Sequence, residues 1–153
     1  MANIKRFTVK KTGYILSYET LIESLYEMAL NKECLKGDME RGIFTTKKAA
    51  MDAAIDIDEG EPKKVKVAAS IQMEELTGKQ GMKKVSMQKI GYVFEDDPLN
   101  GTLENMELTK EDLHDRIDSW IIPSKARAIE DDGITNPSPK KVKITATVSV
   151  EKI

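Results

Sequence analysis

Two stretches decide the fold: Pro62-Lys63-Lys64-Val65-Lys66-Val67-Ala68-Ala69-Ser70-Ile71-Gln72-Met73 and Pro139-Lys140-Lys141-Val142-Lys143-Ile144-Thr145-Ala146-Thr147-Val148-Ser149-Val150. In each, an apolar residue stands at every second position, so one side of an extended chain is apolar and the other is Lys, Ser, Thr or Gln. That alternation predicts two long β-strands, each half-buried. The hexapeptide that opens both strands recurs nearly unchanged, and it belongs to a longer repeat.

Adding 78 to the first-half numbers brings Lys5, Lys11, Gly13, Tyr14, Leu21, Leu25, Met28 and Leu30 onto identical residues in the second half. Lys32, Glu33, Leu35, Ile43, Lys47 and Ala50 also match. After a one-residue slip the offset is 77. Pro62 to Lys66, Ala69 and Glu74 then meet Pro139 to Lys143, Ala146 and Glu151. The matches run in the same order in both halves, the signature of an internal duplication. The expected organisation is a first repeat over 1–76, a linker over 77–81 and a second repeat over 82–153, packed as one globular body. Each half is small for independent stability, because so short a chain buries a low fraction of its surface.

Outward from the two strands, Ile4 to Leu16 alternates in the same way, with Gly13 before Tyr14; Gly91 before Tyr92 is the counterpart. A lone glycine in a strand predicts a bulge or a close backbone approach. Leu21, Ile22, Leu25, Met28 and Ala29 recur at helical spacing, whereas the matching stretch holds Pro98-Leu99-Asn100-Gly101, a turn signal. A helix is expected in the first copy and a loop or shortened helix in the second. Asn31 and Thr109 are placed as N-caps, and Thr109 with Asp112 has capping-box spacing. Thr46 and Ser124 precede short Ala-containing helices. The fold class that follows is α+β: a tandem strand-helix-helix-strand unit, a mainly antiparallel sheet, helices on one face and a pseudo-twofold relation between the copies.

The net charge of −2 conceals a segregated chain. The windows 4–14, 62–73, 82–94 and 139–150 hold thirteen Lys or Arg and no Asp or Glu, leaving eleven basic and all twenty-six acidic residues elsewhere. If the Val and Ile rows face the helices, the opposite sheet face collects Arg6, Lys10, Lys64, Lys66, Lys84, Lys141 and Lys143. Such a face attracts phosphates or an acidic protein. Lysines on exposed strands also discourage edge-to-edge aggregation, and that role needs no ligand. Tyr14 and Tyr92 are assigned to core packing, which leaves the face without aromatic residues on which bases could stack.

Catalytic chemistry finds little support. His114 is the only histidine and Cys34 the only cysteine, so neither an intramolecular disulfide nor a zinc site of ordinary ligand type can form within one chain. The acidic run Asp56 to Glu61 lacks the ligand register of an EF-hand. No apolar run has the length of a membrane span and the N-terminus has no signal-peptide core, so the expected location is cytoplasmic. Lys, Ile and Met usage suits an AT-rich bacterial or phage genome. The leading expectation is a non-enzymatic binding protein, a small accessory or inhibitory protein that occupies a macromolecular partner. A protein partner is expected first, with no cofactor, no metal and no membrane. Nucleic-acid binding through the basic sheet face is the alternative, and a structural subunit of a phage or other assembly is a further one.

Overall fold

A computed structural model of the chain describes residues 3–53, 61–76, 81–94, 97–132 and 139–153. Most of the acidic run over 56–61, nearly all of the 77–81 linker expected from the sequence and residues 133–138 lie outside the described residues. Among the described residues four strands and six helices follow in the order β1 (Ile4–Ile15), α1 (Leu21–Glu27), α2 (Lys32–Gly42), α3 (Lys47–Ala53), β2 (Lys63–Glu75), β3 (Met82–Val93), α4 (Asn100–Met106), α5 (Lys110–Trp120), α6 (Lys125–Asp132) and β4 (Lys140–Lys152). The class is α+β: all strand pairs are antiparallel in one sheet of order β1-β4-β2-β3. Each half reads strand, three helices, strand, so the unit carries one short helix more than strand-helix-helix-strand.

The two most regular strands lie at the centre, and the alternation explains why. Val65, Val67, Ala69, Ile71 and Met73 of β2 are buried, as are Val142, Ile144, Ala146, Val148 and Val150 of β4. These ten side chains form the floor of a single core that is closed by Leu21, Leu25, Leu35 and Met39 from one half and by Leu103, Leu113 and Ile117 from the other. Hydrophobic burial of this kind is the main favourable contribution to folding. Trp120 packs against the same core and is partly buried.

The strand order means that β1 of the first half pairs only with β4 of the second, and β3 of the second only with β2 of the first. A backbone exchange between the halves joins each edge strand to the far side. Tyr14 N–H donates to the Ile122 carbonyl at 2.8 Å and Ile122 N–H to Tyr14 at 2.9 Å. Tyr92 and Phe44 exchange the same two bonds, both at 2.9 Å. Gly13 and Gly91 sit beside these bridges. The register of β1 and of β3 runs through them without a slip, so they mark close backbone approach and not bulges.

Local signals account for the helices. Thr20 Oγ1 accepts from Glu23 N–H at 3.1 Å, and Asn31 Oδ1 from Cys34 N–H at 2.8 Å. Thr109 and Asp112 form the full capping box. Thr46 and Ser124 accept from Ala49 and Arg127. The expected loop or shortened helix in the second half is corrected. The helix α4 has seven residues, as α1 has. Pro98 stands just before it, where a missing N–H costs nothing, and Asp97 Oδ1 accepts from Asn100 N–H at 3.2 Å. The turn signal therefore marks the entry to a helix.

Both α1 and α4 are followed by a non-glycine residue in the left-handed region, Ala29 at φ 58° and Glu107 at φ 57°. A side chain costs about 1 kcal/mol there. Ala29→Gly and Glu107→Gly are each expected to raise the unfolding free energy by about 0.5 kcal/mol, after the added freedom of glycine in the unfolded chain is subtracted. Urea titration of the two variants measures this.

Candidate functional site

The face of the sheet opposite the helices is open, and the strand register lays it out row by row. Its middle rows are Arg6, Ser149, Ala68, Gln88; then Thr8, Thr147, Ser70, Ser86; then Lys10, Thr145, Gln72, Lys84. Small side chains at the centre leave a shallow trough of about 370 Å³ whose lining includes Arg6, Ser70, Ser86, Thr147 and Ser149. The Thr8 and Thr147 hydroxyls, on adjacent strands of this face, lie 3.1 Å apart.

All seven basic residues expected on this face share its side of the pleat. Arg6 and Lys10 alternate with Phe7 and the buried Val9, and Lys64 and Lys66 with Val65 and Val67. Lys141 and Lys143 alternate with Val142 and Ile144, and Lys84 stands opposite Gln72. The expectation that the strands are free of acid is corrected. The strands β2 and β4 run on through Glu74 and Glu151, beyond the windows that the alternation marked. Glu151 stands opposite Lys66 and Glu74 opposite Lys143. Opposite charges in cross-strand positions stabilise the pair, so these four residues are partly neutralised. Among the described residues the face still carries seven basic side chains against two acidic.

The remaining strand lysines belong to the other side of the pleat, and two of them bridge to helices. Lys11 Nζ lies 2.5 Å from Asp118 of α5, and Lys89 Nζ lies 3.1 Å from Glu40 of α2. These two bridges stand at positions related by the 78-residue offset, and each ties an edge strand of one half to a helix of the other. Lys5 donates to Asn100 Oδ1, and Lys140 to the Glu19 carbonyl. Sequence repetition flagged Lys5 and Lys11 but not their role, because an alternation pattern does not say which edge lysine is within reach of a helix.

The assignment of Tyr14 and Tyr92 to the core is also corrected. Both lie half-exposed on the open face, Tyr14 opposite Lys141 and Tyr92 opposite Lys64. The flanking glycines and the backbone bridges turn the inward positions over to Gly13, Ile15, Gly91 and Val93, which leaves the tyrosines outside.

A second depression, about 680 Å³, lies between the β1 edge and the starts of α4 and α5. Its lining mixes Lys5 and Lys110 with Asp97, Glu104 and Glu111. Hydrogen bonds from Asn100 hold the Asp97 carboxyl below its usual range. His114 is exposed on α5 and bonds Asp118 at 2.8 Å, which places it in the helix-side ion-pair network and not near either depression. Among the described residues no group of three or more His, Cys, Asp or Glu is placed to hold a metal ion, and no helix is long and apolar enough to cross a membrane.

Glu19 is shifted in the opposite direction from Asp97. Burial raises its pKa, and Glu23 and Glu27 raise it further, while Lys140 offsets part of this. The folded chain therefore binds a proton here more readily than the unfolded chain. Stability falls as pH rises from the ordinary carboxylate range through the raised pKa. Glu19→Gln is expected to raise the melting temperature at pH 7 and to narrow the difference between pH 7 and pH 5, as followed by circular dichroism.

Comparison with protein-family models, with curated proteins and with solved structures finds no match to this chain.

Proposed function

We propose that the chain is a non-enzymatic binding protein that docks its open sheet face on an acidic surface of a protein partner. One observation carries this reading: the broad face of the sheet that is not packed against helices gathers seven basic side chains around a trough of small residues, in a chain whose net charge is negative. Electrostatic complementarity of this kind steers encounter and selects the partner. The paired positions of the two backbone bridges, the two lysine bridges and the central strands support an internal duplication. A duplicated face offers two similar but unequal halves to one partner.

Charge reversal tests it. The variant Lys64→Glu/Lys66→Glu/Lys141→Glu/Lys143→Glu is expected to weaken capture of the partner from a host-cell extract at least about 100-fold at physiological salt, with the fold kept by circular dichroism. Undiminished capture would refute the sheet face as the docking surface.

Nucleic-acid binding is the second reading. The observation in its favour is the placement of Tyr14 beside Lys141 and Tyr92 beside Lys64, an aromatic and a cation together at two far corners of the face. The centre of the face has no aromatic residue. A band-shift at low salt separates the two readings, since binding to DNA or RNA would fall steeply as salt rises.

A further inference from the structure

The helix α1 carries the most exposed large apolar side chains among the described residues. Ile22 is 61% and Tyr26 is 63% exposed, one turn apart on the helix surface. The matched positions of α4 are Asn100 and Glu104, both polar. Two large apolar side chains side by side on a helix offer a surface that a partner can cover. Glu23 and Glu27 stand exposed beside them, and no basic residue occupies the last turn of α1. The carboxylates of Glu19, Glu23 and Glu27 repel one another, so the surroundings favour a cationic occupant.

A surface of that chemistry exists on the same molecule. The open sheet face offers a trough of about 370 Å³ edged by Arg6, with Lys10 and Lys84 in the adjoining row on one side and Lys66, facing Glu151, in the adjoining row on the other. The helix α1 lies on the opposite side of its own sheet, so it cannot reach its own trough. It can reach that of a second copy.

We propose that α1 of one copy, with Ile22 and Tyr26 as the apolar knob and Glu23 and Glu27 as its charged rim, docks into the basic sheet trough of a second copy. The contact is head-to-tail: two different surfaces meet, and each copy keeps one of each available for the next. Successive copies therefore form chains that lengthen with concentration. A helix of two turns covers a modest area, so the contact is weak, with a dissociation constant on the order of 10–100 µM. The proposal rests on the reading of the sheet face as a docking surface. It adds that self-association and partner binding compete.

The test uses two variants at exposed positions, each checked for folding by circular dichroism: Ile22→Asp/Tyr26→Asp, which lacks the knob, and Lys66→Glu/Lys84→Glu, which lacks the basic socket. In sedimentation velocity the wild type is expected to rise in average mass with concentration and to return to monomer in about 1 M salt. Each variant alone is expected to remain monomeric. An equimolar mixture is expected to stop at a heterodimer, because one intact knob and one intact socket remain. A wild type that is monomeric at every concentration would overturn the proposal. So would self-association of the socket variant alone, which would mean that α1 pairs with α1, or a mixture that stays monomeric. If the wild type is monomeric while the four-lysine reversal still abolishes partner capture, this inference fails and the functional reading stands. If copies associate as described while that reversal leaves capture intact, the functional reading fails instead.

Discussion

Gly13→Ala and Gly91→Ala are each expected to lower the unfolding free energy by about 3 kcal/mol, the upper part of the range for overpacking a closed interior. A Cβ at Gly13 would lie 2.4 Å from Ile121 Cγ2 and 2.7 Å from the Ile122 carbonyl oxygen. At Gly91 it would lie 2.6 Å from the Phe44 carbonyl oxygen and 2.7 Å from Ile43 Cδ1. The side chains could yield, but the carbonyls cannot. Each belongs to the two-bond exchange that holds an edge strand to the other half, Ile122 with Tyr14 and Phe44 with Tyr92. Moving the carbonyl away breaks those bonds and uncovers the inward positions beside them. Gly37 in α2 is the control, because a Cβ there meets nothing within 4 Å. Gly37→Ala is expected to stabilise by about 0.5–1 kcal/mol through helix propensity alone. Guanidinium titration of the three variants gives opposite signs if close approach is the cause. Equal small effects would show that the bridges are not structural.

These glycines show how far the sequence could be read. Their repetition before a tyrosine announced a constraint, and the bulge it suggested was one of two physical solutions. The choice depended on a segment in the other half of the chain, at Phe44 for Gly91 and at Ile122 for Gly13, which no local pattern names. The central strands were legible because a two-residue period survives in any context where one face is buried. Their ends were not, because Glu74 and Glu151 follow the last apolar residue and look like the loss of a strand. That seven basic residues share one side of the pleat followed from the same alternation. The acidic residues opposite Lys66 and Lys143 depend on register, which is a property of the sheet and not of either strand. The second-half helix was expected as a loop or a shortened helix because Pro98 reads as a breaker, whereas Pro98 stands ahead of the N-cap Leu99, outside the helix it would break.

The largest electrostatic effect is expected where the two halves meet, at Asp38 and Arg116. These positions are equivalent under the 78-residue offset, yet carry opposite charge, so a search for identities passes over them. Arg116 Nη1 lies 3.1 Å from Asp38 Oδ2, and both side chains are mostly buried, at 18% and 13% exposure. The guanidinium also donates to the carbonyls of Ala29, at 3.4 Å, and Glu107, at 3.0 Å. Those two residues are themselves equivalent and both have positive φ. One arginine thus collects the two helix ends and the facing carboxylate. Arg116→Ala takes the donor from both carbonyls and leaves Asp38 with Arg41 alone, at 2.5 Å, and is expected to cost about 3 kcal/mol. Asp38→Ala is expected to cost less, since Arg116 keeps both carbonyls. A single reversal, Asp38→Arg or Arg116→Asp, places like charges together and is expected to be at least as damaging as Arg116→Ala. The exchange Asp38→Arg/Arg116→Asp is different. An arginine at 38 would face the same two carbonyls from the other side, with the carboxylate again opposite, but it would also stand one turn from Arg41, which loses its bridge to Asp38, so only part of the lost stability is expected to return. Denaturant titration of the two single reversals and the exchange measures the coupling directly. An exchange as unstable as the sum of the reversals would show that the two positions are not interchangeable.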